Sequence, residues 1–425
     1  MNRDTTAATA AAAGQSAPGA AIWVQKYGGT SVATPELIKA AAQRIRRQRE
    51  RGKRMVVVVS AMGKTTDTLM SLARSISATP PKRELDVLLS AGEVQSMALL
   101  VIALNELQIP AISFTGQQGG IRTDSRHSDA RIQAVESARI ERELDAGRVV
   151  VVAGFQGVAE NEDITTLGRG GSDTSAVALA AALGAERCEI LTDVDGVYTA
   201  DPRVVKNARR IEMISYDEML EMASHGAQVL HGRSVEVARR YHVPLTVASA
   251  TKDTPGTRIG NYEEGEEPME SVVVRAVTED ADVRKVSVVK VPDRPGIAAR
   301  LFSVLGEEGV NIRLIVQAQS HDNTNDITFI VPAETALPDD VLNKAVAAVG
   351  GESYIVDDEV GLLSVVGEGI AREPGVAGKV FAILAESGVN IDLISTSNLY
   401  ITCVVPIAQL KEGAKALHAG LIEVG

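Results

Sequence analysis

From Ile22 to about Thr251 the chain alternates between short apolar runs and segments whose apolar residues recur with helical spacing. The runs are IWVQKY, RMVVVVSA, IPAISFTG, RVVVVAGFQGV, RCEILTDVDGVY and VPLTVASA. Between them lie ELIKAAAQRIRRQRE, VLLSAGEVQSMALLVIALNEL, SDARIQAVESARIERELDAG and SDTSAVALAAALGA. Continuous Val and Ile runs suit strands buried on both faces, and strand–helix alternation on this scale predicts a mostly parallel sheet with helices on both sides. Apolar residues make up 45% of the chain but aromatic ones only 3%, so the core has to be built from Val, Ile, Leu and Ala. In open sheets of this kind ligands bind in the loops at the carboxyl ends of the strands.

Composition shifts after that. TKDTPGTRIGNYEEGEEPME, residues 251–270, is rich in Gly, Pro and Glu and reads as a linker. Beyond it PGIAARLFSVLGEEGVNIRLI (295–315) returns as PGVAGKVFAILAESGVNIDLI (374–394), at an offset of 79 and with twelve of 21 positions identical. Each copy reads strand, Pro-Gly turn, helix, corner, strand, hairpin, strand, which is a small α/β sandwich. A large α/β body followed by a duplicated small module predicts a catalytic part with a paired regulatory unit.

The formal charge of −12 argues against a general binder of nucleic acid or anionic membranes. Cys188 and Cys403 lie in apolar, strand-like surroundings and form no CxxC, as expected of core thiols in a reducing cytoplasm. The six histidines show no metal-ligand spacing. No apolar stretch is expected to reach the roughly 18–20 residues of a membrane span. Residues 1–20 are low in complexity and read as a disordered leader without chemistry.

The loops carry the chemical signals. SAMGKTTD (60–67) ends like a phosphate-binding P-loop, but Val58 stands where its first glycine belongs. GRGGSD (168–173) fails the dinucleotide pattern GxGxxG at Asp173. VQKYGGTSV places Lys26 at a strand end beside Gly28 and Gly29, whose amides can approach an anion. In LLSAGEVQS, Glu93 interrupts an apolar helix, either as a solvated edge residue or as a partner for a ligand's ammonium group. LTDVDGVYTADPR brings Thr192, Asp193, Asp195, Tyr198 and Arg203 after another strand, a mixture suited to a nucleotide or simply to a turn. In TTLGRGGSDTSA, three glycines and Arg169 precede Ser172 and Asp173, read as the N-cap and first turn of an Ala-rich helix. Capping needs one polar residue; an arginine and three glycines in addition point to a bound anion.

Taken in order, KYGGTSV, SAMGKTTD, SAGEVQS, TTLGRGGSDTSA and LTDVDGVYTADPR resemble the aspartate kinases of the amino-acid-kinase superfamily. The likeness runs from about residue 22 to the C-terminus. It implies an amino-acid-kinase-like sandwich with a mostly parallel sheet (21–250), followed by two ferredoxin-like βαββαβ ACT modules (271–425). The first module, about 285–358, would be inserted into the second, about 271–284 plus 359–425. The implied reaction is ATP plus L-aspartate giving 4-phospho-L-aspartate and ADP, with Mg²⁺ and with no metal ligand assigned. It opens the route to lysine, threonine, methionine and isoleucine. A carboxylate acceptor is ionised at neutral pH, so no strong base is needed, and catalysis rests on positioning and charge neutralisation.

By position, the resemblance gives Lys26, flanked by Gly28 and Gly29, the transferring phosphoryl group. Asp173 would organise that lysine and the metal-bound phosphates. Glu93 would hold the aspartate ammonium. Arg169 would clamp the non-reacting carboxylate with Ser172 and Thr66. Thr192, Asp193, Tyr198 and Arg203 fall to the nucleotide. A feedback effector, lysine and/or threonine, would meet Asp293, Gly296, Ala298 and Gln317 with Asn390 and Ile391 across a homodimer interface. Met269 could start a separate regulatory subunit in an α₂β₂ assembly. The chain departs from the pattern at Gln228, where GAKVLH-type segments carry lysine, at Ala248, and at Asn398 and Tyr400. A kinase for another small acid, such as a substituted aspartate, and an inactive amino-acid sensor are the competing readings.

Overall fold

The structure, a computed structural model, describes residues 20–261, 273–319 and 323–423. Most of the expected leader, the distal part of the expected linker and Met269 lie outside the described residues. The chain divides into two compact units. The first holds residues 20–197, 210–220 and 228–261; the second holds 198–209, 221–227 and the described residues from 273 onward.

In the first part of the chain the elements are β1 (Ile22–Tyr27), α1 (Pro35–Glu50), β2 (Arg54–Val59), α2 (Thr65–Ile76), α3 (Lys82–Glu106), β3 (Ala111–Phe114), β4 (Ile121–Thr123) and β5 (Ile132–Val135). They continue with α4 (Ala138–Asp145), β6 (Val149–Ala153), β7 (Gln156–Val158), β8 (Ile164–Thr166), α5 (Gly171–Ala182), β9 (Arg187–Thr192) and β10 (Met213–Ile214). Next come α6 (Tyr216–Ser224), α7 (Gly232–Tyr241), β11 (Leu245–Ser249) and β12 (Thr257–Ile259). Eight strands form one sheet in the order β10-β12-β11-β9-β1-β2-β6-β3, parallel except for the β11–β12 pair. The Val-rich strands are dry: every residue from Met55 to Val59 and from Val149 to Ala153 is fully buried. Burial on both faces is what a covered parallel sheet demands.

Four sequence expectations are corrected here. SDARIQAVESARIERELDAG is not one helix. Ile132 and Val135, three residues apart, mimic a helical period but belong to β5, antiparallel to β4, and α4 buries only Ile140 and Leu144. RVVVVAGFQGV is not one strand either. It breaks at Gly154-Phe155, where Phe155 takes a φ of +66°, and β7 leaves for a second sheet ordered β5-β4-β7-β8. Thr257–Ile259, placed in the linker, extends the main sheet because Thr257 and Ile259 point inward and the Thr257 hydroxyl donates to the Ile211 carbonyl at 2.5 Å. Finally, α3 is long and apolar enough, by length and composition, to cross a membrane. Its Met97, Leu100 and Leu104 pack into the main core cluster.

The second unit adds β13 (Ala276–Asp280), β14 (Val283–Pro292), α8 (Ile297–Glu307), β15 (Leu314–Gln319), β16 (Thr324–Pro332), α9 (Asp339–Val349), β17 (Ser353–Asp357), β18 (Val360–Val366), α10 (Val376–Glu386), β19 (Leu393–Thr396), β20 (Tyr400–Pro406) and α11 (Leu410–His418). Two antiparallel sheets result, ordered β15-β16-β14-β17 and β13-β18-β20-β19. Each is backed by its own helices and core, and a shared apolar seam of Val283, Leu314, Ile330, Val360, Leu362 and Val404 joins them. Because β13 pairs with β18, the second sheet takes its strands from both sides of the first module. Both cysteines are buried and free, and burial pushes the Cys403 thiol up to about 12.

Candidate active site

Neighbouring strands β9, β1, β2 and β6 end side by side; the first three release loops singled out from sequence, and β6 ends at Gly154. The loops are stitched together by backbone. Gly28 N–H donates to Leu191 O at 3.1 Å, Ser60 N–H to Tyr27 O at 3.1 Å, Gly63 N–H to Gly29 O at 3.0 Å, and Gly154 N–H to Val59 O at 3.0 Å. The Gly28 amide is therefore committed to the neighbouring strand, whereas the sequence reading offered it to an anion. Glycine at 29 is needed for a different reason: a Cβ there would lie 2.8 Å from Ala61 O, so only glycine lets the 60-loop close on this turn.

Alternation along β1 sends Lys26 to one face of the sheet and Gln25 and Tyr27 to the other. Lys26 is 8% exposed and its Nζ lies 2.6 Å from Asp173 Oδ1, itself 9% exposed. A buried ammonium costs several kcal/mol unless paired, and the carboxylate offsets that cost. Asp173 stands in the first turn of α5, and Ser172 beside it is also buried. Neither caps the helix. The N-cap is Gly170, at a φ of +67°, with no side chain bonded to the helix start. The positive end of α5 is thus left without a capping oxygen, next to Lys26. Arg169 is exposed in the turn between Gly168 and Gly170.

Glu93 is no solvated edge residue. It is 3% exposed on α3; its Oε1 accepts from Ala61 N–H at 3.1 Å, and its Oε2 is buried with no hydrogen-bond partner among the described residues. Gly92 permits this contact, since a Cβ there would lie 2.8 Å from the Ala61 Cβ. Burial pushes the Glu93 carboxyl up to about 7, against the Ala61 hydrogen bond that lowers it. A buried carboxylate oxygen of this kind is ready for a cationic partner. Thr66, half-buried, sits in the first turn of α2, at the far end of the same 60-loop.

On the β9 side, the Thr192 hydroxyl donates to Asp193 at 2.9 Å and Lys252 Nζ lies 2.9 Å from Asp195. Tyr198 and Arg203, read together with these residues in the sequence, fall in the second unit, where Arg203 donates to Asp201 from Nε at 3.0 Å and from Nη2 at 2.7 Å. Asp293, Gly296, Ala298, Gln317 and Asn390 are exposed and Ile391 is half-buried; the first three share the turn before and into α8. The Asn390 N–H donates to Gln409 Oε1 at 3.0 Å.

Sequence reasoning missed Gly154 and Phe155. A Cβ on Gly154 would lie 2.9 Å from the Ser172 hydroxyl, and the left-handed Phe155 packs on Gly171 while its N–H donates to Ser175 Oγ. The signal was a glycine closing a Val-rich strand. It also missed His231 and Arg233, which lie against the Leu167–Gly171 turn.

Residues 21–249 match the Amino acid kinase family, and residues 286–351 and 363–421 each match an ACT domain. The chain is 47% identical over 404 residues to an aspartokinase of Mycolicibacterium smegmatis, covering 94% of this chain and 95% of that one. It is 46% identical over 399 residues to an aspartokinase of Pseudomonas aeruginosa, covering 94% and 97%. The structure of E. coli aspartokinase III with aspartate and ADP superposes with a TM-score of 0.82 at 27% identity, over 94% of this chain and 99% of that one. The same enzyme with lysine and aspartate gives 0.74 at 26% identity, over 94% and 99%. This chain belongs to the amino acid kinase family and, within it, to the aspartokinases, ATP-dependent kinases that act on aspartate.

Proposed function

We propose that the enzyme moves the γ-phosphoryl group of ATP to the β-carboxylate of L-aspartate, in the cleft where the β1, β2, β6 and β9 loops meet. The observation that carries this reading is the buried Lys26–Asp173 pair at the uncapped start of α5, 2.6 Å apart. Lys26 neutralises charge growing on the transferring phosphoryl oxygens, and Asp173 fixes the lysine's aim. Arg169, Ser172 and Thr66 hold the α-carboxylate. Glu93 accepts the ammonium at its unpartnered Oε2. Thr192 and Asp193 lie on the nucleotide side, with Tyr198 and Arg203 assigned there from sequence alone. No proton has to be removed from an ionised acceptor.

Among the described residues no three His, Cys, Asp or Glu side chains group as a metal cage. Mg²⁺ is held chiefly by substrate phosphates and one or two carboxylates, and Asp173, buried beside Lys26, is the carboxylate that would hold it. When bound with ATP the ion supplies neutralisation of phosphate charge. The ACT modules are assigned to feedback by an amino acid, lysine and/or threonine. E. coli aspartokinase III in its T-state complex contains lysine. A homodimer fits the exposed Ile315 and Ile394, which occupy equivalent repeat positions on the two edge strands β15 and β19; an α₂β₂ assembly is the weaker form of this proposal, and the enzyme is assigned to the cytoplasm.

Steady-state assays on Arg169→Ala test the site. The KM for aspartate should rise about 100-fold while the KM for ATP stays within about twofold, the loss expected of a charge-assisted carboxylate clamp. An equal rise in both would overturn the assignment, and preference for a substituted aspartate in the wild type would overturn the acceptor.

A further inference from the structure

The turn from Leu167 to Gly171 rests on a part of the chain that lies far away in sequence, the start of α7. Its N-cap is His231, and a Cβ on Gly170 would fall 2.2 Å from the His231 Cβ and 3.3 Å from Cδ2 of its ring. The imidazole occupies the volume a side chain at 170 would need. Its Nδ1 accepts from Arg233 N–H at 3.4 Å. Arg233 reaches back along the same turn. Its Nη1 donates to Leu167 O at 2.6 Å and to Asp129 Oδ1 at 3.2 Å, and its Nη2 donates to Ala130 O at 2.7 Å. Gly168, at a φ of +72°, comes close to the same 128–129 segment, where a Cβ would lie 3.1 Å from Ser128 O and 3.2 Å from Asp129 Oδ1. Thus His231 backs Gly170 directly, and Arg233 ties Leu167 to the 129–130 segment that Gly168 approaches.

We propose that His231 and Arg233 are positioning residues for the kinase reaction, holding the Leu167–Gly171 turn so that Arg169 and the first turn of α5 keep their aim at the acceptor aspartate. The proposal rests on the reading of Arg169 as the carboxylate clamp. The physical requirement is specific. Two glycines leave the turn with more backbone freedom than any other residues would, and a bidentate clamp loses its value once its base moves by about an ångström. A planar fork can span two carbonyls on separate segments, as Arg233 does with Leu167 and Ala130; an ammonium at the end of a flexible chain holds one at a time. Burial and the adjacent Arg233 guanidinium hold the imidazole below its ordinary range. The neutral ring therefore adds no third positive charge to the field of Arg233 and Arg169, in which Asp173 and Asp129 are the opposing carboxylates.

The test is a set of steady-state assays with Mg-ATP and aspartate on Arg233→Lys, Arg233→Met, His231→Ala and His231→Phe, beside Arg169→Ala, each with a thermal melt. Arg233→Lys should raise the KM for aspartate about tenfold and Arg233→Met about 30-fold, with the KM for ATP within about twofold. His231→Ala should raise the aspartate KM about fivefold, and His231→Phe, which restores ring volume, should recover most of that loss. If the KM values for ATP and aspartate rise together, or if the melts collapse without a selective change in the aspartate KM, the residues are structural and the proposal is overturned. Arg233→Lys is the variant expected to stay folded, so an unfolded Arg233→Met leaves the question decided by its partner. If Arg169→Ala alone raises the aspartate KM, only this inference fails. If Arg169→Ala leaves it unchanged, the clamp reading fails first.

Discussion

Three helices of this molecule begin in the same way, after a glycine in the left-handed region and without a side-chain cap: α5 at Gly170 (φ +67°), α8 at Gly296 (+89°) and α10 at Gly375 (+93°). Their surroundings differ. A side chain at 170 would collide with His231, whereas no atom of the described residues lies within 4 Å of the Cβ position at 296 or 375. The first turn of α5 is buried and carries Asp173 against Lys26; the first turns of α8 and α10 carry no acidic residue. One local signal therefore marks two situations. At the Pro-Gly turns of the repeats, glycine answers to its own backbone alone. At Gly170 it answers to the backbone, to a neighbouring helix and to the buried Lys26–Asp173 pair in the helix's first turn.

The largest effect should come from the charge at the α5 mouth. Lys26→Met is expected to lower kcat by at least about 10³-fold, because phosphoryl transfer depends on neutralising charge at the moving group. It also strands Asp173, and breaking a buried pair typically costs about 3–5 kcal/mol. The double variant Lys26→Met/Asp173→Asn should recover the melting temperature but none of the activity. A single variant keeping a tenth of wild-type kcat would make α5 no more than another glycine-started helix. Next comes Gly170→Ala. Left-handed strain of about 1–2 kcal/mol combines with the His231 collision, so kcat/KM for aspartate should fall about 100-fold.

Glu93 sharpens the contrast by pH. The kcat/KM for aspartate should drop about tenfold per unit below pH 7 if the ionised carboxylate takes the ammonium, and Glu93→Gln should lose about 30-fold at pH 8 and flatten the profile. Stability moves the other way. Folding raises the carboxyl from 4.5 to about 7. The penalty on the charged form is thus absent below the unfolded value, grows across that window and persists above it, at about 3 kcal/mol in full. Glu93→Gln escapes it, so its melting temperature should gain on wild type between pH 5 and pH 8. A parallel pair of melting curves would remove the buried charge from the account.

Sequence made the main sheet legible because burial on both faces writes itself as uninterrupted valine, and it made the repeat legible because an internal copy needs no outside reference. The loops were legible as loops. What could not be read was how they are backed. Gly154 and Phe155 were hidden inside an apparent strand, since a backbone turn at Phe155 leaves no trace in hydropathy. His231 and Arg233 sit about 60 residues past the turn they support, and pairing at that distance has no period. Glu93 was ambiguous because composition shows a carboxylate in an apolar helix but not which side of it is wet. Assigning Ser172 as the N-cap followed residue preference, while the chain uses a left-handed glycine instead and keeps Ser172 and Asp173 buried.

The smallest effect is the one that separates the two repeats. Gly296→Ala and Gly375→Ala should each cost about 1–2 kcal/mol, the strain of an alanine in the left-handed region, with no collision added. Neither should change kcat or either KM by more than about twofold in the absence of effector. Only Gly296 was assigned to the effector, beside Asp293 and Ala298. In an inhibition panel with lysine, threonine and both together, Gly296→Ala should therefore shift the inhibition midpoint, because a methyl group would stand where a ligand has to approach the exposed turn. Gly375→Ala should leave the midpoint in place at an equal loss of stability. Equal shifts in the two variants would mean that the response follows the stability of the modules and that neither Pro-Gly turn touches the effector. A shift at Gly375 alone would move the site to the second repeat, whose α10 start has nearly the same backbone and is equally open.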